Sequence, residues 1–173
     1  MQSTLYIGLD DSNHAGKVRG EIVTAVFSVY YRDSLEYLYG RRGDICDVNK
    51  AMLRRGRHSN FTILTSPEYH KTRSNLPVAA PLLILNFLEG FRRTEELTRL
   101  EIGLDGKATE EDKEIILRDL PDRFEANIKG YPKGGRKKHN CPRTVYYADA
   151  IANSLFRRPL EETLADKRFV HFP

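Results

Sequence analysis

Cysteine is scarce in this sequence, in which Cys46 and Cys141 are the only two among 173 residues. Neither belongs to a Cys-x-x-Cys pair, which argues against zinc or redox sites of that kind. His139 and Cys141 together offer two metal ligands, but two free thiols in a reducing compartment are the simpler interpretation. The sequence therefore indicates a function that does not depend on sulfur chemistry.

Long apolar runs are also missing. The longest apolar stretch, residues 76–88, is too short to cross a bilayer and contains Pro77 and Pro81. The first residues read as a strand and lack the basic region and apolar core of a secretory signal. We therefore expect a cytoplasmic protein without a membrane segment, and the length predicts one domain spanning residues 1–173.

Positive charge is in small excess, with a net charge of +4, so its distribution is more informative than its total. Residues 129–143 contain no acidic residue and six cations: Lys129, Lys133, Arg136, Lys137, Lys138 and Arg143. Such a segment suits contacts with a phosphate backbone, although a solvated surface loop is the alternative. Residues 134–138 do not fit the phosphate-loop pattern, which argues against a nucleoside triphosphate as ligand.

Alternating apolar segments and turn residues predict an α/β protein. The first two strands form a hairpin with a long polar tip, and three longer helices follow at intervals. The predicted strands cover residues 4–10, 21–31, 34–39, 60–65, 100–105, 123–128 and 168–172. The predicted helices cover residues 75–90, 109–120 and 142–157, with a short one within 159–166 and a loop over 129–141.

Aspartates stand at the ends of two apolar strands. Asp10, followed by Asp11, ends the first strand, and Asp105 ends the strand of residues 100–105. If these strands are parallel neighbours, their ends lie about 5 Å apart, at the edge where open α/β sheets bind ligands. Each aspartate alone is equally consistent with a simple turn.

Asp149 favours a shared site, because it lies on the apolar face of the last predicted helix, between Val145 and Ala152. An isolated carboxylate there is costly, and a metal shared with other carboxylates would stabilise it, as would a buried arginine or a helix N-terminus. Mg²⁺ or Mn²⁺ suits an all-oxygen ligand set, and two such ions can drive phosphodiester hydrolysis. His14, three residues after Asp11, is a candidate for proton transfer.

Several segments resemble type 2 ribonucleases H. The segment Ile7-Gly-Leu-Asp-Asp-Ser-Asn-His-Ala-Gly16 resembles the opening of that family, Ile102-Gly-Leu-Asp-Gly106 resembles its second metal-binding strand end, and Ile128-Lys-Gly130 resembles the segment that follows. The helix segment of residues 147–152 instead resembles the last metal-binding helix of resolvases of the RuvC type. Tyr131 stands where the family has an acidic residue, and Asp11 stands where it has glutamate.

The resemblance implies a ribonuclease H-like fold, with a central mixed sheet and helices on both faces. It implies that Asp10 and Asp105 are central metal ligands, Asp11 a second-metal or supporting ligand, and Asp149 the final ligand. It also implies Mg²⁺ or Mn²⁺ as cofactor and DNA, RNA or a hybrid as substrate.

A metal-dependent nuclease is therefore the predicted function, and the oligomeric state stays open. The alternative, favoured by Tyr131, is an inactive module that binds nucleic acid or a protein. A phosphotransferase of the actin-like group is a third possibility, although the glycine-rich nucleotide loops of that group are missing.

Overall fold

Six strands and three helices make up the described part of the chain. The computed structural model describes residues 3–12, 22–30, 58–64, 75–90, 95, 97–132, 142–157 and 169–171. The elements are, in chain order, β1 (Ser3–Ser12), β2 (Ile22–Tyr30), β3 (His58–Leu64), α1 (Leu76–Gly90), β4 (Leu97–Asp105), α2 (Glu110–Arg118), β5 (Glu125–Tyr131), α3 (Arg143–Phe156) and β6 (Phe169–His171). The predicted strand at 34–39 and the short helix within 159–166 lie outside the described residues.

The strands form one mixed sheet in the order β5-β4-β1-β2-β3-β6. The hairpin of β1 and β2 is confirmed, and β3 is antiparallel to β2. β1 runs parallel to β4, with Gly8 opposite Gly103 and Leu9 opposite Leu104. The two strands are thus parallel neighbours, which is the condition under which Asp10 and Asp105 were expected to meet, and an aspartate follows both Leu9 and Leu104.

Helices cover both faces of the sheet. Leu5, Ile7 and Leu9 alternate along β1 and belong to a buried apolar cluster that includes α1 and Ile116 of α2. Successive strand residues point to opposite faces, so Gly8 lies on the other face, where a side chain would meet the start of α3. The predicted α/β architecture, a mixed sheet with helices on both faces, is confirmed.

The two helices on the apolar cluster begin differently. α1 is apolar almost all round, and the carbonyl of the buried Asn75 accepts hydrogen bonds from the amides of its first turn, including that of Ala79 at 2.9 Å. α2 begins with a capping box, in which the Thr109 hydroxyl accepts from the Asp112 amide and the Asp112 carboxylate accepts from the Thr109 amide. Among the described residues, no helix combines the length and the apolar character that a bilayer crossing requires.

The end of β5 corrects one prediction. Residues 129–131 were expected to begin a loop, but they continue the strand, with Lys129 opposite Gly103 and Tyr131 opposite Asp105 on β4. The prediction was wrong because β4 supplies hydrogen-bonding partners that the local residues do not indicate. Gly130 permits this arrangement, since a Cβ there would lie 2.4 Å from the Ala108 amide nitrogen in the turn after β4.

Candidate metal centre

Three aspartates from distant parts of the chain meet at one edge of the sheet. Asp10 lies near the end of β1, Asp105 ends β4, and Asp149 lies in the second turn of α3. One carboxylate oxygen from each lies within 4.8 Å of the other two. Asp10 is only 2% exposed, whereas the other two are half-buried. The structure thus brings together three of the four predicted carboxylates.

Two glycines allow α3 to lie directly on the sheet. A Cβ on Gly8 would be 2.0 Å from the carbonyl carbon of Thr144, and one on Gly103 would be 2.5 Å from a methyl group of Val145. The face of α3 toward the sheet also carries small residues, since Ala148 and Ala152 are fully buried. The close approach brings the second turn of α3, with its aspartate, to the strand ends.

A neighbouring amide orients the helix aspartate. The Asn153 side chain donates from Nδ2 to Asp149 Oδ1 at 2.7 Å and to the Asp149 carbonyl at 2.9 Å. Because an amide is neutral, it fixes the carboxylate without removing its negative charge. Asn153 was not predicted as a site residue, although its position four residues after Asp149 on the same helix was a usable signal.

The donor atoms of the cluster fit a hard divalent cation. Oδ2 of Asp10 and Oδ2 of Asp105 are buried and have no hydrogen-bond partner among the described residues, although both aspartates take part in other interactions. A shielded carboxylate oxygen is costly unless a cation or a proton is close to it. Carboxylate oxygens are the ligands that Mg²⁺ and Mn²⁺ prefer, so these three residues suit such an ion.

Asp11 lies outside this group. It is half-buried and pairs with Val23 of β2, and strand alternation directs its side chain to the face opposite that of Asp10. Its role as a metal ligand stays a prediction.

The predicted basic residues fall partly within the described chain. Lys129 is exposed on β5, where its Nζ lies 5.5 Å from the centroid of the Tyr131 ring, and Arg143 is the first residue of α3. Their role in substrate binding stays a prediction. The other candidates lie outside the described residues: His14, Lys133, Arg136, Lys137 and Lys138.

Comparison with known proteins bears on the fold. No family model matches the sequence, and no curated protein matches it. The crystal structure of ribonuclease H2 from Pyrococcus horikoshii OT3 is similar, with a TM-score of 0.52 and 16% identity over 94% of this chain and 76% of that chain. A chain of the PCNA:RNase HII complex from Archaeoglobus fulgidus gives a TM-score of 0.47 and 17% identity, over 98% of this chain and 83% of that one.

The likeness to the Pyrococcus structure shows that this chain has a ribonuclease H-like fold. At this level of identity the likeness concerns the fold and leaves activity to be argued from the site. The resemblance of α3 to the resolvase helix stays a prediction.

Proposed function

We propose that this chain is a metal-dependent nuclease that hydrolyses phosphodiester bonds in nucleic acid. The observation that carries the proposal is the meeting of Asp10, Asp105 and Asp149, with carboxylate oxygens within 4.8 Å of one another on a ribonuclease H-like sheet. A cluster of oxygen donors beside a strand edge is suited to a divalent cation that binds phosphate. Two further predictions are that residues 1–173 form one domain and that the protein acts in the cytoplasm.

Each residue of the cluster has a distinct part in this chemistry. Asp10 and Asp105, fixed on adjacent strands, hold the ion, and Asp149 completes the ligand set with its orientation set by Asn153. A bound Mg²⁺ or Mn²⁺ supplies a Lewis acid for the phosphate and an activated water. The two-metal form of the mechanism would need Asp11 as a ligand of the second ion, although its side chain leaves β1 on the face opposite that of Asp10.

The basic residues of the chain provide the complementary charge. Lys129 lies two residues before Tyr131, which pairs with Asp105, so it places a positive charge beside the strand edge that holds the cluster. Contacts of lysine or arginine with phosphates give affinity that falls with salt. His14 is the proposed group for proton transfer, and the cations of residues 133–138 are proposed to extend the positive surface.

A catalytically inactive nucleic-acid or protein binding module is the second candidate. The observation that favours it is Tyr131, which stands beside Asp105 in the strand register, where the resembling family has an acidic residue. A site with one carboxylate fewer holds a cation less firmly and has fewer ligands for a second ion. In that case the protein binds its target without cleaving it.

A metal titration combined with a cleavage assay separates the two candidates. Mn²⁺ is titrated by calorimetry into the wild type, into Asp10→Asn and into Asp122→Asn, which makes the same change at an exposed position. The three proteins are then incubated with labelled single-stranded, hybrid and branched substrates. We expect the wild type and Asp122→Asn to bind Mn²⁺ and cleave, and Asp10→Asn to lose both properties.

Two results count against the proposal. Mn²⁺ binding by the wild type without cleavage of any substrate would support the binding module. Binding and cleavage that persist unchanged in Asp10→Asn would show that the aspartate cluster is not the site.

A further inference from the structure

A solvent-open pocket lies beside the aspartate cluster, on the face of the sheet that carries α3. Its polar and aromatic lining comes from β1, β4, β5 and the start of α3: Tyr6, Glu101, Asn127, Lys129, Tyr131 and Thr144. The lining therefore offers a ligand aromatic surface, a cation and hydrogen-bonding groups.

The pocket and the metal centre are neighbours along the strands. Gly103, which lines the pocket, lies two residues before Asp105 on the same face of β4, or about 7 Å away along the strand. Tyr131 lines the pocket and also pairs with Asp105 across the sheet. A nucleic-acid strand with one phosphate at the aspartates can therefore also reach the pocket.

The Tyr131 ring is held in place at the border between the pocket and the metal centre. A Cβ on Gly103 would lie 3.1 Å from Cε2 of the ring, so the ring rests against the bare backbone of β4. The ammonium group of Lys129 lies over the ring, 5.5 Å from its centroid. An anchored aromatic ring with a cation beside it is a stacking surface for nucleic-acid bases of any sequence.

The far end of the pocket is polar and contains an ion pair. Glu101 accepts a hydrogen bond from Asn127 Nδ2 at 2.8 Å and forms an ion pair with Arg99 at 2.7 Å. The carboxylate accepts hydrogen bonds from hydroxyl and amino groups, and Arg99 balances its charge. Lys129 lies closer to the aspartates than Glu101 does, so its positive charge favours a ligand with its phosphate toward the metal centre.

We propose that this pocket binds the nucleotide next to the cleaved bond, with Tyr131 stacking on its base and Lys129 contacting its phosphate. Its sugar and base edge then face Glu101 and Asn127. This inference rests on the proposed function, because it takes a nucleic-acid strand as the occupant.

Binding of short labelled RNA and DNA single strands, measured by fluorescence anisotropy with Ca²⁺ in place of Mg²⁺, tests the pocket. Tyr131→Ala is expected to weaken binding about 5- to 150-fold, as for the loss of one base stacked on an aromatic side chain. Tyr131→Phe keeps the ring and is expected to keep the affinity. Lys129→Met is expected to lower the slope of log affinity against log salt by about one.

Two controls make the outcome specific. Lys113→Met removes a lysine from α2, on the opposite face of the sheet, and is expected to leave the salt slope unchanged. Calorimetric titration of Tyr131→Ala with Mn²⁺ is expected to match the wild type, which shows that the fold and the metal centre are intact.

Wild-type affinity in Tyr131→Ala, or equal salt slopes in Lys129→Met and Lys113→Met, would overturn the pocket proposal while leaving the nuclease proposal in place. Failure of the wild type to bind Mn²⁺ and nucleic acid would overturn both.

Discussion

Replacing Gly8 with alanine is expected to move Asp149, on α3, away from Asp10 and Asp105 on the strands. The added Cβ would lie 2.0 Å from the carbonyl carbon of Thr144 and 2.2 Å from the amide nitrogen of Val145, which are backbone atoms that cannot rotate away. Ordinary contact begins at 3.4 Å, so α3 must recede by the difference between 3.4 and 2.0 Å, about 1.4 Å. Metal ligands tolerate only about 0.2 Å of displacement, so Asp149 would leave the ligand set.

Both stability and metal binding should respond to this change. Overpacking of this kind costs about 1–3 kcal/mol, and each kcal/mol lowers the Tm of a chain of this size by about 2–4 °C. We therefore expect Gly8→Ala to melt about 2–12 °C below the wild type. Its affinity for Mn²⁺ should fall as far as that of Asp149→Asn. Thermal melting without metal and calorimetric titration with Mn²⁺ measure the two effects.

Gly90→Ala is the matched control, because a Cβ at the end of α1 meets nothing within 4 Å. If Gly8→Ala has the same Tm as Gly90→Ala and binds Mn²⁺ like the wild type, then α3 does not lie as close to β1 as described. A lower Tm with unchanged Mn²⁺ affinity would mean that α3 packs as described but does not control the metal centre. Gly103→Ala is a milder variant if Gly8→Ala does not fold, since its nearest contact is a side-chain methyl group of Val145.

Other variants test the orientation of the ligands, their mutual repulsion and the helix cap. Asn153→Ala is expected to weaken Mn²⁺ binding about 10- to 100-fold in calorimetry, because Asp149 loses the donor that orients it; unchanged affinity would show that Asn153 has no such role. When a chelator keeps the protein free of metal, Asp105→Asn is expected to have a higher Tm than the wild type, because one of three clustered negative charges is removed. Mn²⁺ at about a hundred times its Kd should stabilise the wild type by about 2.7 kcal/mol and leave Asp105→Asn unaffected, and equal stabilisation of both would contradict the site. Thr109→Ala is expected to cost about 1 kcal/mol in denaturant unfolding because the capping box of α2 is lost, whereas Thr109→Ser should be neutral.

Most of the described elements could be predicted from apolar patterning alone. The helices at 75–90, 109–120 and 142–157 agree with α1, α2 and α3 to within two residues at each end. Asp10 and Asp105 were predicted to end apolar strands and to meet if those strands were parallel neighbours, and the strands are parallel neighbours in the sheet. Local patterns are sufficient here because a buried strand or helix face requires apolar residues at regular spacings in the sequence.

Features that depend on distant partners were not predictable in the same way. The extension of β5 to Tyr131 depends on β4, and the need for glycine at position 8 depends on α3, which begins 135 residues later. Asp10 and Asp11 are adjacent in the sequence and look equivalent there, yet strand alternation separates them onto two faces. Such distinctions arise only when the elements pack together.

The dispersal of the three aspartates over β1, β4 and α3 links the metal centre to the completion of folding. An intermediate in which the first hairpin has formed holds one ligand, and an intermediate with the sheet but without α3 holds two. The third ligand arrives only when a segment from late in the chain docks on strands formed from its beginning. Capture of a divalent cation is therefore a marker of the fully assembled protein, and a cation present during renaturation would favour that last docking step over its reversal.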